Sequence, residues 1–246
     1  MTILDTLLTP QMLAAVLLAF AGGAIRGYTG FGTPIFLAPL YAVLFGPQAA
    51  VPLLIIMEIG VMVQMVPAAL RQTDWPELRG LLLGCLPLLP VGGLMLGILD
   101  PSLVKKVIGL MTASFVAALW WGWRYRGPRN LPVRTAIGAL SGFCNGLTGI
   151  GGPPVILYYI SGDKDIAGIR ANLVVYFAFI TAIAVPFFFV AGLVTGETLL
   201  RWLVLTPPLL AGVALGSRFF QGTSRQIFMR AALLTLLVAA FVGIFG

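Results

Sequence analysis

An eight-residue motif rich in glycine occurs twice in this sequence of 246 residues. The first copy is Gly27-Tyr28-Thr29-Gly30-Phe31-Gly32-Thr33-Pro34, and the second, 119 residues later, is Gly146-Leu147-Thr148-Gly149-Ile150-Gly151-Gly152-Pro153. Glycine permits backbone dihedrals that interrupt a helix, and proline suits the first turn of a new one. Each copy therefore predicts a break followed by a helix N-terminus, with Thr33 or Gly152 as the N-cap.

The N-terminus of a helix carries about half a positive charge and several N–H donors that lack an intrahelical partner. Two such termini that meet would form a pocket for a small oxyanion. Thr29 and Thr148 stand at equivalent positions of the two motifs and would add hydroxyl donors. The predicted substrate-binding residues are Arg26, Thr29, Gly30, Phe31, Gly32, Thr33, Asn145, Thr148, Gly149, Ile150, Gly151, Gly152, Asn172 and Tyr176.

Arg26 precedes the first motif, and its counterpart before the second motif is the neutral Asn145. A charged side chain inside a membrane is unfavourable by about 2.5–3.5 kcal/mol on insertion scales, so it is a candidate functional residue. Arg26 is therefore predicted to pair with the substrate anion or with Glu58. The alternative is a side chain that extends to a membrane interface.

Glu58 is the only acidic residue deep within an apolar block, at 51–63. Its carboxylate is a candidate for carrying a coupling proton or for neutralising Arg26, and a purely structural ion pair is the alternative. Asn172 and Tyr176 are four residues apart and share a helix face. They are predicted to line a pathway, although hydrogen bonds between helices would explain them equally well.

Glycine-rich stretches also let helices pack closely, and for a single stretch that interpretation would be favoured. Here the motif is duplicated, with proline at the same place both times. The duplication favours an anion site over packing alone.

The composition excludes a soluble domain, because 59% of the residues are hydrophobic, 9% are charged and the mean hydropathy is +1.03. A soluble domain is about 25% charged. Long apolar blocks between short charged loops are typical of a multi-pass helical membrane protein, whose partner is the lipid bilayer. The sequence has no histidine and two cysteines, so it lacks the residues for histidine-based catalysis or a zinc site. We therefore expect no enzyme activity, no cofactor and no metal.

A second match at the same spacing of 119 residues, Gly93 and Gly97 with Gly212 and Gly216, indicates an internal repeat. The predicted halves are 1–126 and 127–246. Each begins with a helix, a break and a short helix, followed by three long apolar segments. The first helices are predicted at 10–28 and 135–147, the short helices at 34–46 and 153–160, and the long segments at 47–70, 77–99, 103–123, 167–192, 199–217 and 226–245.

The short helices cannot cross a hydrocarbon core of about 30 Å, so each break predicts a re-entrant hairpin. With hairpins, one side of the membrane holds eleven basic residues and the other holds three, Lys105, Lys106 and Arg201. The eleven are Arg71, Arg79, Arg124, Arg126, Arg129, Arg134, Lys164, Arg170, Arg218, Arg225 and Arg230. The positive-inside rule then places both termini in the periplasm. Segment 10–28 remains long enough to span. The membrane topology thus explains where the basic residues stand in the sequence. The net charge of +7 therefore does not indicate a nucleic-acid partner.

The duplicated Gly-x-Thr-Gly-x-Gly-x-Pro motif, the chain length and the two four-segment halves resemble the sulfite exporter TauE/SafE family, also called the toluene sulfonate uptake permease family. The sequence departs from the commoner family pattern after Arg170, where Ala171-Asn172-Leu173 stands in place of a Thr/Ser-Lys pair. The resemblance implies transport of a small sulfur-containing or organic anion, such as sulfite, a sulfonate or sulfoacetate, across the bacterial inner membrane.

The expected fold is an all-α polytopic membrane protein with two inverted repeats, each a broken-helix hairpin plus three transmembrane helices. The leading functional hypothesis is a secondary transporter that works by alternating access. The alternatives are an anion channel and a small-carboxylate transporter of the same fold. Import or export, the coupling ion and the oligomeric state, a homodimer included, stay open.

Overall fold

The computed structural model describes residues 9–162 and 165–220, of which Phe220 only by its backbone. These ranges contain α-helices, one 3₁₀ turn and loops, and no strand. The helices are α1 Pro10–Thr29, α2 Thr33–Phe45, α3 Pro47–Ala69, the 3₁₀ turn Leu70–Gln72, α4 Trp75–Ile98, α5 Pro101–Trp120, α6 Leu131–Thr148, α7 Gly152–Ile160, α8 Ile166–Val190 and α9 Gly196–Phe220. The predicted segment 226–245 lies outside the described residues, as do Lys164, Arg225 and Arg230.

The helix starts are encoded locally. Six helices begin after a residue whose side-chain oxygen accepts a backbone N–H of the first turn, as expected of an N-cap. These caps are Thr9, Asp74, Asp100, Asn130, Asp165 and Thr195. A proline at the first or second position is common among these helices and fits the same rule.

Six of the helices are long and apolar enough to cross a membrane, judged by length and composition within the described ranges. They are α1, α3 extended to Gln72, α4, α5, α8 and α9. The sequence analysis counted segment 10–28 within a re-entrant hairpin, but α1 has 20 residues and reaches about 30 Å. By length, α1 is therefore a candidate span, whereas the nine residues of α7 reach only about 14 Å.

In two pairs of helices, a helix of one half packs against a helix of the other half at glycine residues. A Cβ on Gly84 of α4 would lie 1.8 Å from the carbonyl oxygen of Thr135 in α6, and one on Gly92 would lie 2.1 Å from that of Phe143. Helices α1 and α9 meet in the same way, since a Cβ on Gly23 would lie 2.1 Å from the carbonyl oxygen of Leu209. Within each pair the backbones touch and the two helices run in the same direction.

Helices α3 and α8 form the third contact between the halves, and they run in opposite directions. Residues 64–69 of α3 lie with residues 167–174 of α8, whereas residues 54–58 lie with residues 177–184. At the repeat spacing of 119 residues, α3 and α8 are counterparts of each other. The antiparallel pair brings the middle of both helices against the two breaks.

An arginine–aromatic cluster holds the C-terminal end of each short helix. In the Tyr158 cluster, the Tyr158 hydroxyl donates to Glu77 Oε1 over 2.8 Å, and it accepts from Arg134 Nε over 3.3 Å. Arg129 lies 4.6 Å from the centroid of the same ring. Glu77, on which these groups converge, is 5% exposed and therefore buried.

The corresponding Phe45 cluster is simpler. The Arg201 guanidinium lies 4.3 Å from the centroid of the Phe45 ring and pairs with Glu197, whose side chain is 58% exposed. The end of α7 is thus held by a buried network, whereas the end of α2 is held by a single contact between an arginine and an aromatic ring.

Candidate functional site

The first break interrupts the chain between α1 and α2. Gly30 has φ of +80°, and its N–H donates to the carbonyl of Arg26 over 2.7 Å, which ends α1. Gly32 has φ of +107°, a left-handed value that glycine adopts without strain. The carbonyl of Gly32 accepts the N–H of Phe36, so Gly32 is the N-cap of α2. The prediction of Thr33 as the cap was wrong by one residue, because Thr33 already belongs to the helix.

The second break has nearly the same construction. Gly149 has φ of +73°, and its N–H donates to the carbonyl of Asn145 over 2.8 Å. Gly151, not the predicted Gly152, is the N-cap of α7, since the helix already includes Gly152. Unlike Gly32, Gly151 has an ordinary φ of −86°. A Cβ on Gly151 would lie 2.7 Å from Cβ of Asn145, so packing rather than conformation favours glycine there.

Thr29 and Thr148 hold the breaks through their hydroxyl groups. Thr29 donates to the carbonyl of Ile25 over 2.8 Å and accepts the N–H of Phe31. Thr148 donates to the carbonyl of Cys144 over 2.7 Å and accepts the N–H of Ile150 over 3.1 Å. Both hydroxyls are thus hydrogen-bonded to backbone groups of their own break. Their contact with a substrate stays a prediction, and it would require these bonds to exchange.

The two breaks lie close together. A Cβ on Gly152 of the second break would be 3.2 Å from Cδ1 of Ile35, in the first turn of α2. A cavity of about 20 Å³ lies between the breaks and the middle of α3 and α8. Its lining residues are Pro34, Leu54, Ile55, Glu58, Asn145, Gly149, Phe177, Ile180, Thr181 and Ala184. That volume accommodates one water molecule.

Arg26 and Glu58 form a buried ion pair at this cavity. The Nη2 atom of Arg26 lies 2.9 Å from Oε2 of Glu58, and the two residues are 1% and 5% exposed. The guanidinium also lies 5.3 Å from the centroid of the Phe177 ring. Glu58 and Phe177 are equivalent positions of the repeat, so one arginine contacts the midpoints of both counterpart helices. Of the two partners predicted for Arg26, the structure has Glu58.

Two neutral polar groups complete the surroundings of the ion pair. The Thr33 hydroxyl lies near the Glu58 carboxylate. Asn145, the counterpart of Arg26, donates from Nδ2 to the carbonyl of Gly149 over 3.5 Å, while its Oδ1 is buried and without a hydrogen-bond partner among the described residues. The second half thus offers a neutral amide where the first offers a charge.

Asn172 and Tyr176 lie away from the cavity between the breaks. Asn172 Oδ1 accepts the backbone N–H of Asp74 over 2.7 Å, which ties α8 to the loop before α4. Tyr176 is fully buried, with its hydroxyl near Cys85 and Ser141. Their contacts are those of residues that join helices, and their place on a substrate pathway stays a prediction.

Sequence reasoning missed two residues at the breaks. Phe177 lines the cavity, and its position as the counterpart of Glu58 could have identified it. Arg170 packs on the first break, where its Cγ lies 2.3 Å from the place of a Cβ on Gly30. The sequence analysis counted Arg170 as a charge at the membrane interface, since it lies in the first turns of a helix. The residues next to it in the sequence do not distinguish an interfacial arginine from one that packs on a break.

Comparison with known proteins identifies the family of the chain. Residues 15–244 match the protein family described as Sulfite exporter TauE/SafE. A similar protein is "Probable inner membrane transporter protein TsaS" of Comamonas testosteroni, with 30% identity over 178 residues, which are 69% of this chain and 72% of that protein. No solved structure matches the chain. The chain, whose described residues include six helices suited to crossing a bilayer, therefore belongs to the sulfite exporter TauE/SafE family of membrane transporters.

Proposed function

We propose that this protein is a secondary transporter of a small sulfur-containing or organic anion, held during transport between the N-termini of α2 and α7. The observation that carries this proposal is the meeting of two glycine breaks beside the buried Arg26. Each helix N-terminus contributes N–H donors and a partial positive charge. Sulfite and sulfonates suit such a site, because their three oxygens accept several N–H bonds at once.

The packing of the halves supports an inverted repeat. Repeats related by an axis along the membrane normal would make the counterpart helices α3 and α8 parallel, whereas they are antiparallel. The helix pairs α4 with α6 and α1 with α9 are likewise exchanged by the repeat spacing. Inverted repeats with broken helices at their interface are a known architecture for alternating access.

The small cavity indicates that the site is closed in this arrangement. A volume of about 20 Å³ cannot hold sulfite, which has four non-hydrogen atoms. Binding therefore requires the two breaks to separate. Movement of the α4–α6 pair against the α1–α9 pair, about the α3–α8 contact, would open the cavity to one side at a time.

Glu58 is the proposed coupling group. With Glu58 ionised, the Arg26–Glu58 pair is neutral, and an incoming anion would bring an uncompensated charge into a buried site. Protonation of Glu58 would release Arg26 to pair with the anion. When the anion carries a single negative charge, one proton would accompany each anion, and the site would be electrically neutral both with and without that substrate.

Transport by purified protein in proteoliposomes tests the proposal. We expect saturable uptake of labelled sulfite or sulfoacetate, acceleration by counterflow, and faster uptake when the side of entry is acidified. Flux that rises linearly with concentration and shows no counterflow would instead identify an anion channel. Uptake restricted to small carboxylates would identify the other alternative and contradict the sulfur-anion proposal.

The replacement of Gly32 by alanine is expected to weaken anion binding at least tenfold, because an L residue at φ of +107° would shift the N-terminus of α2. Binding of sulfoacetate to the purified protein, followed by calorimetry, measures the effect. Gly192→Ala is the matched control: Gly192 also has positive φ, at +70°, with nothing within 4 Å of an added Cβ, and it lies after α8. Equal loss of binding in the two variants would mean that backbone strain anywhere in the protein weakens binding, and it would contradict a specific role for the N-terminus of α2.

A further inference from the structure

A second cavity, of about 600 Å³, lies between the end of α3, the start of α8 and the end of α9. These helix ends carry Arg71, Arg170 and Arg218, so the cavity is on the face that the basic residues assign to the cytoplasm. Its polar lining groups are Gln64, Gln72, Arg170 and Ser217, and none of the described residues that line it is acidic. We call this cavity the vestibule.

Arg170 joins the vestibule to the first break. Its Nη2 donates to the carbonyl of Gly27 over 2.8 Å, and the Ser217 hydroxyl donates to the same oxygen over 3.2 Å. The aliphatic part of Arg170 lies on Gly30. Arg170 and Arg26 are close enough to repel each other electrostatically. Two guanidinium groups therefore converge on the first break, one from the vestibule and one from the cavity between the breaks.

The equivalent region on the opposite face is filled. Ala68 and Ala214 line the vestibule, and their counterparts in the repeat are Phe187 and Met95. The Phe187 ring packs against α4, with Cε1 2.3 Å from the place of a Cβ on Gly93. Val51 is the counterpart of Arg170. The vestibule is thus open, lined by small residues and positively charged, whereas its counterpart is occupied by large apolar side chains.

We propose that the vestibule is a binding site that the substrate anion occupies before it reaches the break, and that Arg170 is the residue that recognises the anion there. This inference rests on the proposed function and adds a second site to it. The planar guanidinium suits an oxyanion because it presents several N–H donors at once. The vestibule has room for an anion with an organic substituent, and passage to the break requires Arg170 to exchange its bond to Gly27.

The first test is Arg170→Gln, with sulfoacetate as the probe. We expect the KM for uptake from the cytoplasmic face to rise at least tenfold, while Arg170→Lys, which keeps the charge, recovers most of the loss. Arg71→Gln is the matched control, since Arg71 is an exposed arginine of the same face outside the vestibule, and it should leave KM unchanged. A wild-type KM in Arg170→Gln, or an equal rise in Arg71→Gln, would overturn the inference. Failure of the wild-type protein to transport any anion would overturn the proposed function itself.

The second test does not depend on transport. Ala68→Cys, made with Cys85→Ala and Cys144→Ala, should react with an anionic methanethiosulfonate in vesicles whose cytoplasmic face is outward. Sulfoacetate should slow the labelling, and Arg170→Gln should remove that protection. Arg79→Cys, exposed on the same face and outside the vestibule, should be labelled without protection. An unreactive Ala68→Cys, or labelling that sulfoacetate leaves unchanged, would contradict an anion site in the vestibule.

Discussion

Arg26→Gln is expected to abolish measurable anion binding and to destabilise the protein by about 3–5 kcal/mol. The loss of stability follows from the ion pair, because Glu58 would remain buried at the cavity without its counter-charge. The loss of binding follows from the removal of the guanidinium that would pair with the anion at the cavity between the breaks. Sulfoacetate calorimetry and thermal melting of the detergent-solubilised protein measure the two effects separately.

The double variant Arg26→Gln with Glu58→Gln is the control that separates folding from function. Two neutral amides leave no unpaired charge at the position of the ion pair, so the melting temperature should return toward that of the wild type while binding stays absent. Glu58→Gln alone leaves Arg26 unpaired, and we expect sulfoacetate to stabilise that variant more than it stabilises the wild type. Its uptake should lose the acceleration by acid. Wild-type affinity in the double variant would exclude Arg26 as the partner of the anion.

Gly84→Ala is expected to be among the most damaging single-methyl changes in the described part of the chain, with a loss of stability of about 3 kcal/mol or more. The added Cβ would stand 1.8 Å from the carbonyl oxygen of Thr135, which belongs to the backbone of α6 and cannot rotate away. Helices α4 and α6 would have to separate along their length. Thermal melting and the yield of monodisperse protein after purification measure the effect.

Gly97→Ala is the matched control on the same helix. A Cβ there would lie 3.7 Å from Leu193, an ordinary contact, so the change should be neutral or stabilise α4 by up to about 1 kcal/mol. Similar melting temperatures for the two variants would mean that α4 and α6 can move apart freely. The contact between the halves would then not be the rigid element that the proposed transport cycle needs.

The helices could be predicted from the sequence because their signals are local. Apolar block length and proline in the first turn brought nearly every predicted segment within four residues of an observed helix. The roles of the glycines in the two motifs were harder to predict, because glycine is used both for close helix packing and for positive φ. Gly27 and Gly146 pack against the backbones of α9 and α4, as the packing interpretation expects, whereas Gly30, Gly32 and Gly149 supply positive φ at the breaks.

The site could be predicted only in part, for a physical reason. The pairing of Arg26 with Glu58 could be anticipated because buried charges in apolar blocks need partners. The contact of Arg170 with Gly27 joins residues 143 positions apart in the chain, and only packing creates it. The engagement of Thr29 and Thr148 with the backbone was also missed, because a hydroxyl has several acceptors within reach and the sequence does not rank them.

The unequal fastening of the two short helices bears on kinetics. The buried Tyr158 cluster ties α7 to α4 through several groups, whereas the Phe45 cluster joins α2 to α9 through the single contact of Arg201 with the Phe45 ring. We expect α2 to move more readily than α7, so that the transporter spends more time in one orientation than in the other. The unequal lifetimes would make the rates of anion exchange measured from the two compartments differ. The electrochemical gradients alone would still set the direction of net transport.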